Sequence, residues 1–352
     1  MAEQTGLSAA PKIDAERNVM DLSTVYLGMK LRTPLVVSAS PLSQDLEKIQ
    51  RMEDAGASAV VLHSLFEEQI RYERYQLHWQ LTHSIDSYPE ALSYLPEATG
   101  FSMAPDAYLR HITKAKSAVA IPIIASLNGS TIGGWLDYAG KMEDAGADAI
   151  ELNLYGIPTD MEKSSGEIED RYLEVVREVR ATVKIPVAVK LTPFFTNLAR
   201  MARRLDEAGA NALVLFNRFF QPDIELESGE IQPFAVYSTP IDAKLPLRWI
   251  AILCDQIGAN LAATGGIHRG TDALKMLMAG ADVTMLCSVL MRKGIEQIAS
   301  IEKEICAWMT EHERESVEQL KGSMSQRNCP EPGAFERAAY IATVGSRKAE
   351  AK

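Results

Sequence analysis

One phrase recurs four times along this chain. It reads Glu53-Asp54-Ala55-Gly56-Ala57-Ser58-Ala59-Val60-Val61-Leu62, then Glu143-Asp144-Ala145-Gly146-Ala147-Asp148-Ala149-Ile150-Glu151-Leu152. It returns as Asp206-Glu207-Ala208-Gly209-Ala210-Asn211-Ala212-Leu213-Val214-Leu215, and more loosely as Ala279-Gly280-Ala281-Asp282-Val283-Thr284-Met285-Leu286. Each copy has the form of a helix that stops at glycine and runs directly into an apolar strand. Glycine suits the left-handed position just past a helix. A continuous apolar run marks a strand buried on both faces, and helix-to-strand alternation builds a parallel sheet.

Successive copies are far enough apart for two strand-plus-helix units of about 30 residues each. Each gap also contains an unmarked apolar run: Ile121–Ser126, Ile185–Leu191 and Ala259–Ala263. Pro34–Ala39 precedes the first copy. The count is eight strands, with the phrase marking the even ones. This predicts a (β/α)8 TIM barrel of α/β class in preference to a doubly wound open sheet. The expected organisation is a tail over residues 1–19, one barrel domain over 20–345, and a short tail over 346–352.

Three stretches fall outside the barrel repeat. Asp21 to Arg32 reads as a hairpin turning at Gly28-Met29 and placed to plug the barrel bottom. Ser64 to Asp106 is a long insertion after strand two, rich in aromatics (Phe66, Tyr72, Tyr75, Trp79, Tyr88, Tyr94, Phe101). Loops of that length usually serve a function or carry structure of their own. Arg218 to Pro246 contains a hairpin signal at Glu227-Ser228-Gly229-Glu230. After Gly294 two helical stretches are expected, split by Cys329-Pro-Glu-Pro-Gly333.

Composition narrows the function. The formal net charge is -11 and no basic stripe occurs, which argues against nucleic acid. No apolar run approaches the ~18 residues of a membrane span, and Met1 to Asn18 lacks a signal-peptide apolar region. The four cysteines are scattered without metal spacing, so a cytoplasmic protein with reduced thiols and no bound metal is expected.

Active sites of such barrels lie at the C-terminal strand ends. In order, these ends are Ser38-Ala39-Ser40, His63-Ser64, Ser126-Leu127-Asn128-Gly129, Asn153-Leu154-Tyr155, Lys190-Leu191, Asn217-Arg218, Thr264-Gly265-Gly266 and Cys287-Ser288. They form a hydrogen-bonding set, read as neutral except for Lys190, suited to a polar heterocycle. Neither paired carboxylates nor metal-type clusters appear among them, which argues against glycoside or metal-dependent hydrolysis. Gly265-Gly266 and Cys287-Ser288 stand where barrels commonly bind phosphate through backbone N–H groups. Asn128, Asn153 and Asn217 are candidate ligand amides, although asparagine also forms turns. His63 reads as a structural or a substrate-facing residue. Lys190 ends an apolar strand, where an ammonium needs an anion or a cofactor as partner. It serves either a flavin or, as an aldolase Schiff base, a lyase.

Taken together, these strand ends resemble the dihydroorotate dehydrogenase family, FMN-containing barrels of pyrimidine synthesis. The resemblance runs from about Met20 to Gly345. It includes Leu27–Pro34 with Ser38-Ala39-Ser40, Asn128-Gly129, Glu151-Leu152-Asn153-Leu154, Val189-Lys190-Leu191, Asn217, Thr264–Ile267, Cys287-Ser288, and Tyr237–Pro240 through Leu247-Arg248. It implies non-covalent FMN held by Ala39, Ser40, Asn128, Lys190, Asn217, Ser238, Gly265, Gly266, Cys287 and Ser288. It further implies a reduced pyrimidine against His63, Asn153 and Asn217, and oxidation of its C–C bond. A homodimer is a family-level expectation, and coupling to an iron–sulfur cluster would require a partner subunit.

The chain departs from the family in two places. The family supplies a cysteine or serine base near the fourth-strand asparagine, whereas this chain reads Asn153-Leu154-Tyr155-Gly156-Ile157-Pro158. One branch of the family ends strand two with lysine, and here His63-Ser64 stands there. The residues open to the base's role are Tyr155, Ser164, Ser165, His78 and His83. A non-catalytic flavin-binding homologue is the remaining alternative.

Overall fold

The computed structural model describes residues 20–70, 104–129, 136–218, 221–234 and 237–336. Its strands are β1 (Thr24–Tyr26), β2 (Met29–Leu31), β3 (Leu35–Val37), β4 (Ala59–Phe66), β5 (Ile123–Asn128) and β6 (Ala149–Asn153). They continue as β7 (Val187–Leu191), β8 (Ala212–Leu215), β9 (Gln221–Ile224), β10 (Ile231–Phe234), β11 (Asn260–Thr264) and β12 (Val283–Leu286). Eight of them close a barrel in the order β3-β4-β5-β6-β7-β8-β11-β12, every neighbouring pair parallel. Helices pack outside it, as the repeat predicts.

The repeated phrase proves to be a joint as well as a helix stop. Gly56, Gly146, Gly209 and Gly280 all adopt φ between +97° and +120°. The polar residue two positions further on ties each new strand to its neighbour. Ser58 accepts from the Thr33 N–H, Asp148 from Ile123, Asn211 from Val187 and Asp282 from Leu261, at 2.6 to 2.9 Å. The acidic residue that opens three of the copies does the same for the chain entering the next strand. Glu53 accepts from Ala120 and Ile121, Glu143 from Lys184 and Ile185, and Asp206 from Gly258. Each such bond contributes about 0.5–1.5 kcal/mol and fixes the stagger between strands.

Residues facing the barrel interior alternate along each strand. The inner cluster contains Val36, Ala59, Val61, Ile124, Ala149, Ala188, Ala212, Val214, Ala262, Val283 and Met285. Tyr26, Leu27 and Leu31 of the β1–β2 hairpin join the same cluster, so the hairpin closes the bottom. Asn260, at the start of β11, accepts from the Leu27 N–H, and the Thr24 hydroxyl donates to the Asp282 carbonyl. Tyr26 pairs with Met29, so the turn residues are Leu27 and Gly28 rather than Gly28-Met29. Both have positive φ (+55° and +74°), the geometry a two-residue hairpin with right-handed twist requires.

The expected insertion at Ser64 to Asp106 starts and ends in regular structure. β4 continues to Phe66, and a helix spans Pro105–Ala118. Its centre, with Tyr72, Tyr75, Trp79, His78, His83, Tyr88, Tyr94 and Phe101, lies outside the described residues, as do the two tails. β9 and β10 form the expected hairpin after β8. Of the two helical stretches expected after Gly294, the first appears as the helix Gln297–Glu311, and the second, beyond Gly333, lies largely outside the described residues. Residues 312–329 turn back beneath the barrel instead of continuing as helix, with Asp21 and Ser316 bridged.

Candidate functional site

Alternation carries the inner row upward into a polar tier. On β6, Ile150 and Leu152 pack outward, so Ala149, Glu151 and Asn153 face inward. On β7, Ala188 faces inward and so does Lys190. Asn128, Asn153 and Lys190 lie in one register row across β5, β6 and β7. The Asn217 amide donates to Asn153 Oδ1 at 3.0 Å. The Lys190 ammonium is buried, donating to Ser38 Oγ at 3.4 Å and lying 3.3 Å from Glu151 Oε1.

Above this tier lies a cavity of about 420 Å³. Ser38, Ala39, Lys190, Asn217, Ser238, Gly265, Gly266, Cys287 and Ser288 line it, together with Arg218 and Asp242. Gly265 and Gly266 have φ of +92° and +77°. A Cβ on Gly265 would project into open space, whereas one on Gly266 would meet the Ala243 backbone nitrogen at 2.3 Å. The second glycine therefore lets the turn at Pro240–Ala243 approach closely, and the first leaves backbone open to a ligand. Ser288 Oγ accepts from the Ser238 N–H at 3.0 Å, joining the two loops. His268 lies behind them, 3.5 Å from Ser238 Oγ, and its burial lowers its pKa. Burial raises the Cys287 thiol pKa, with Lys190 and Arg218 pulling the other way.

Several anticipated residues sit elsewhere. His63 packs between Tyr108 and His111 of the Pro105–Ala118 helix, with ring centroids 5.0 and 5.8 Å away. The cause is a bulge. Val61 pairs with Ile124 and Ser64 with Ser126, so β4 uses one residue more than β5. The extra residue turns His63 outward and gives its inward place to Ser64, whose hydroxyl meets Ser126 Oγ at 2.8 Å. The Tyr108 hydroxyl fills the gap in the ladder by accepting from the Ser126 N–H. Burial, with His111 adding to it, lowers the His63 pKa to about 4. Ser40 is buried at the end of β3 and its hydroxyl has no hydrogen-bond partner among the described residues. Asn128 is half-buried at the rim, and Tyr155 follows the Asn153 turn. Ser164 is committed to capping the helix Ser165–Thr182 through a reciprocal pair with Glu167.

The strand-end residues are not neutral apart from Lys190. Arg218 and Asp242 line the cavity 3.8 Å apart, and Glu151 lies directly beneath the lysine. Arg218 stood among the strand ends, and its charge was the signal. Glu151 was legible from its spacing, two residues before Asn153 on the same inward row.

A closed (β/α)8 barrel with a polar, lysine-floored mouth and an open glycine turn after its seventh strand defines a class of small-molecule enzyme. Comparison with known proteins makes this specific. The family described as dihydroorotate dehydrogenase matches residues 97–309, and the chain belongs to that family, oxidoreductases acting on CH–CH groups. The catalytic subunit of dihydroorotate dehydrogenase B (NAD(+)) from Thermoplasma volcanium is 27% identical over 317 residues, 87% of this chain and 99% of that protein. The protein of the same name from Methanothermobacter thermautotrophicus is 25% identical over 309 residues, 86% of this chain and 97% of that protein. The one from Sulfolobus acidocaldarius reaches 30% over 206 residues, 57% of this chain and 68% of that protein. Among the described residues no group of three or more metal-ligating side chains occurs, and no helix is long and apolar enough to cross a membrane.

Proposed function

We propose that this chain is an FMN-dependent oxidoreductase acting on the C–C bond of a reduced pyrimidine such as dihydroorotate. One observation carries the proposal: the buried Lys190 and the open turn at Gly265-Gly266 face the same cavity. The donor set fits the cofactor. A cavity of about 420 Å³ falls within the range of small-molecule sites. Gly265 leaves room for close backbone approach, and Ser38, Ser238 and Ser288 line the cavity. FMN, when bound, supplies the hydride acceptor.

The chain's own residues do the rest. Gly265, Gly266, Cys287 and Ser288 hold the phosphate through backbone N–H groups and the serine hydroxyl. Ala39, Ser40, Asn128 and Ser238 flank the rest of the cofactor, and Lys190 places a positive charge at its ring. The bonded amides of Asn153 and Asn217 orient a planar polar substrate. Removing a hydride from one carbon requires loss of a proton from its neighbour, and a positioned base contributes about 10²–10⁴-fold. With Ser164 held in its cap, Tyr155 is the side chain in the Asn153–Pro158 run that takes this proton.

The lyase alternative is less well supported. Lys190 faces a carboxylate, an arrangement for holding charge rather than for attacking a carbonyl. Relatives named as catalytic subunits suggest that electrons leave through a separate partner.

The test is the absorption spectrum of the purified protein reconstituted with FMN, followed by anaerobic addition of dihydroorotate. Flavin bands that bleach on addition support the proposal. A protein that takes up no flavin refutes it. A yellow protein that neither dihydroorotate nor other reduced pyrimidines bleach is the non-catalytic homologue instead.

A further inference from the structure

Glu151 is anomalous among the acidic residues of the barrel strands and the joints between them. Asp148, Asp282, Glu53 and Glu143 each bind backbone N–H groups and so brace the fold. Glu151 braces nothing. Its side chain is 1% exposed, one oxygen lies 3.3 Å from Lys190 Nζ, and the other has no hydrogen-bond partner among the described residues. Below it in the same interior lies the Tyr26 hydroxyl, also buried and without a partner among the described residues. Burial, with the nearby carboxylates Glu151 and Asp282 adding to it, raises the Tyr26 pKa well above its ordinary value.

A buried carboxylate oxygen without a protein partner among the described residues is costly, and fold stability alone favours an apolar side chain there. The lysine remains as the reason for its presence. Register fits this, because Asn153 is opposite Lys190 and Glu151 lies one inward step below. The ammonium is thus held between Glu151 and Ser38, one partner on β6 and the other at the end of β3.

We infer that Glu151 is a positioning residue for Lys190. It anchors the ammonium at the cavity floor and cancels its net charge, which lowers the reduction potential of a flavin bound above. The inference rests on the flavin reading given above. A bare ammonium favours the electron-rich reduced flavin over the oxidised one, and a neutral ion pair favours it less.

The experiment compares the midpoint potential of bound FMN in the wild type and in Glu151→Gln, which keeps the shape and removes the charge. The expected result is a rise corresponding to at least a tenfold gain in affinity for reduced over oxidised FMN, about 30 mV for a two-electron couple. A glutamate of purely structural importance weakens both oxidation states alike and leaves the potential in place. Glu151→Asp, which keeps the charge one methylene further off, is expected to fall between the two. If Glu151→Gln does not fold, the double variant Glu151→Gln/Lys190→Gln replaces a neutral pair by a neutral pair. Its potential is expected to lie nearer the wild type than that of Lys190→Gln alone, which falls. An unchanged or lowered potential in Glu151→Gln overturns this inference alone. So does a double variant whose potential matches that of Lys190→Gln. A wild-type protein that binds no FMN overturns the flavin reading and this inference with it.

Discussion

The two ends of the barrel interior are built from the same strands and the same alternation, yet they differ in kind. The lower rows are Ala149, Ala188, Ala212, Val61 and Val283, closed from below by Tyr26, Leu27 and Leu31. Further along the same strands stand Lys190, Ser38 and Thr264, opening on a cavity, with Asn153 in register beside Lys190. The lower end stabilises the fold by burying apolar surface. The upper end buries an ammonium and a carboxylate at some cost to stability. Groups that weaken a fold are retained where they act on a ligand.

Substitutions at each end test this contrast. The largest expected effect is at the top: Lys190→Met should lower the rate of dihydroorotate oxidation by ~10²-fold or more, measured as steady-state kcat, while far-UV dichroism stays unchanged. At the bottom, Leu31→Ala should cost about 2–5 kcal/mol of stability, measured by urea unfolding. Its FMN affinity under native conditions should remain near that of the wild type. If Leu31→Ala weakened FMN binding as much as Lys190→Met, the division between the ends would fail.

Gly266→Ala sharpens the contrast at the rim. It adds a side chain at φ +77° and against the Ala243 nitrogen. A left-handed residue costs about 1–2 kcal/mol, so a modest fall in Tm and a weaker FMN affinity are expected together, by scanning calorimetry and fluorescence titration.

The smallest effect concerns His63, held neutral in the folded state with a pKa near 4 against an ordinary value of 6.5. The unfolded chain therefore binds a proton that the folded chain refuses as pH falls from about 6.5 towards 4. Stability is lost in that window, by on the order of 1 kcal/mol at pH 5. Urea unfolding at pH 7 and pH 5 should show a smaller difference in His63→Phe than in the wild type.

The barrel was legible because its signal repeats. Four copies of one helix-to-strand joint, each with glycine in the left-handed region, forced the count of eight. The mouth was legible in part, because strand ends can be located once strands are counted. His63 was misleading because a bulge leaves no mark in sequence: one extra residue in β4 reverses every side chain after it. The hairpin turn shifted by one residue for a related reason, since Leu27 rather than Met29 takes the second left-handed position. Glu151 is not a strand end, because it lies one inward step below Asn153. Its charge in the row Ala149, Glu151, Asn153 was nevertheless present in the sequence.

The central claim is that the polar upper tier, and not the barrel as such, binds a flavin. Titration of the apoprotein with FMN, followed by quenching of flavin fluorescence, tests it directly in the wild type, Lys190→Met and Leu31→Ala. Saturable quenching in the wild type and in Leu31→Ala, with affinity at least tenfold weaker in Lys190→Met, is the predicted result. No quenching in the wild type, or equal affinity in all three proteins, would contradict it.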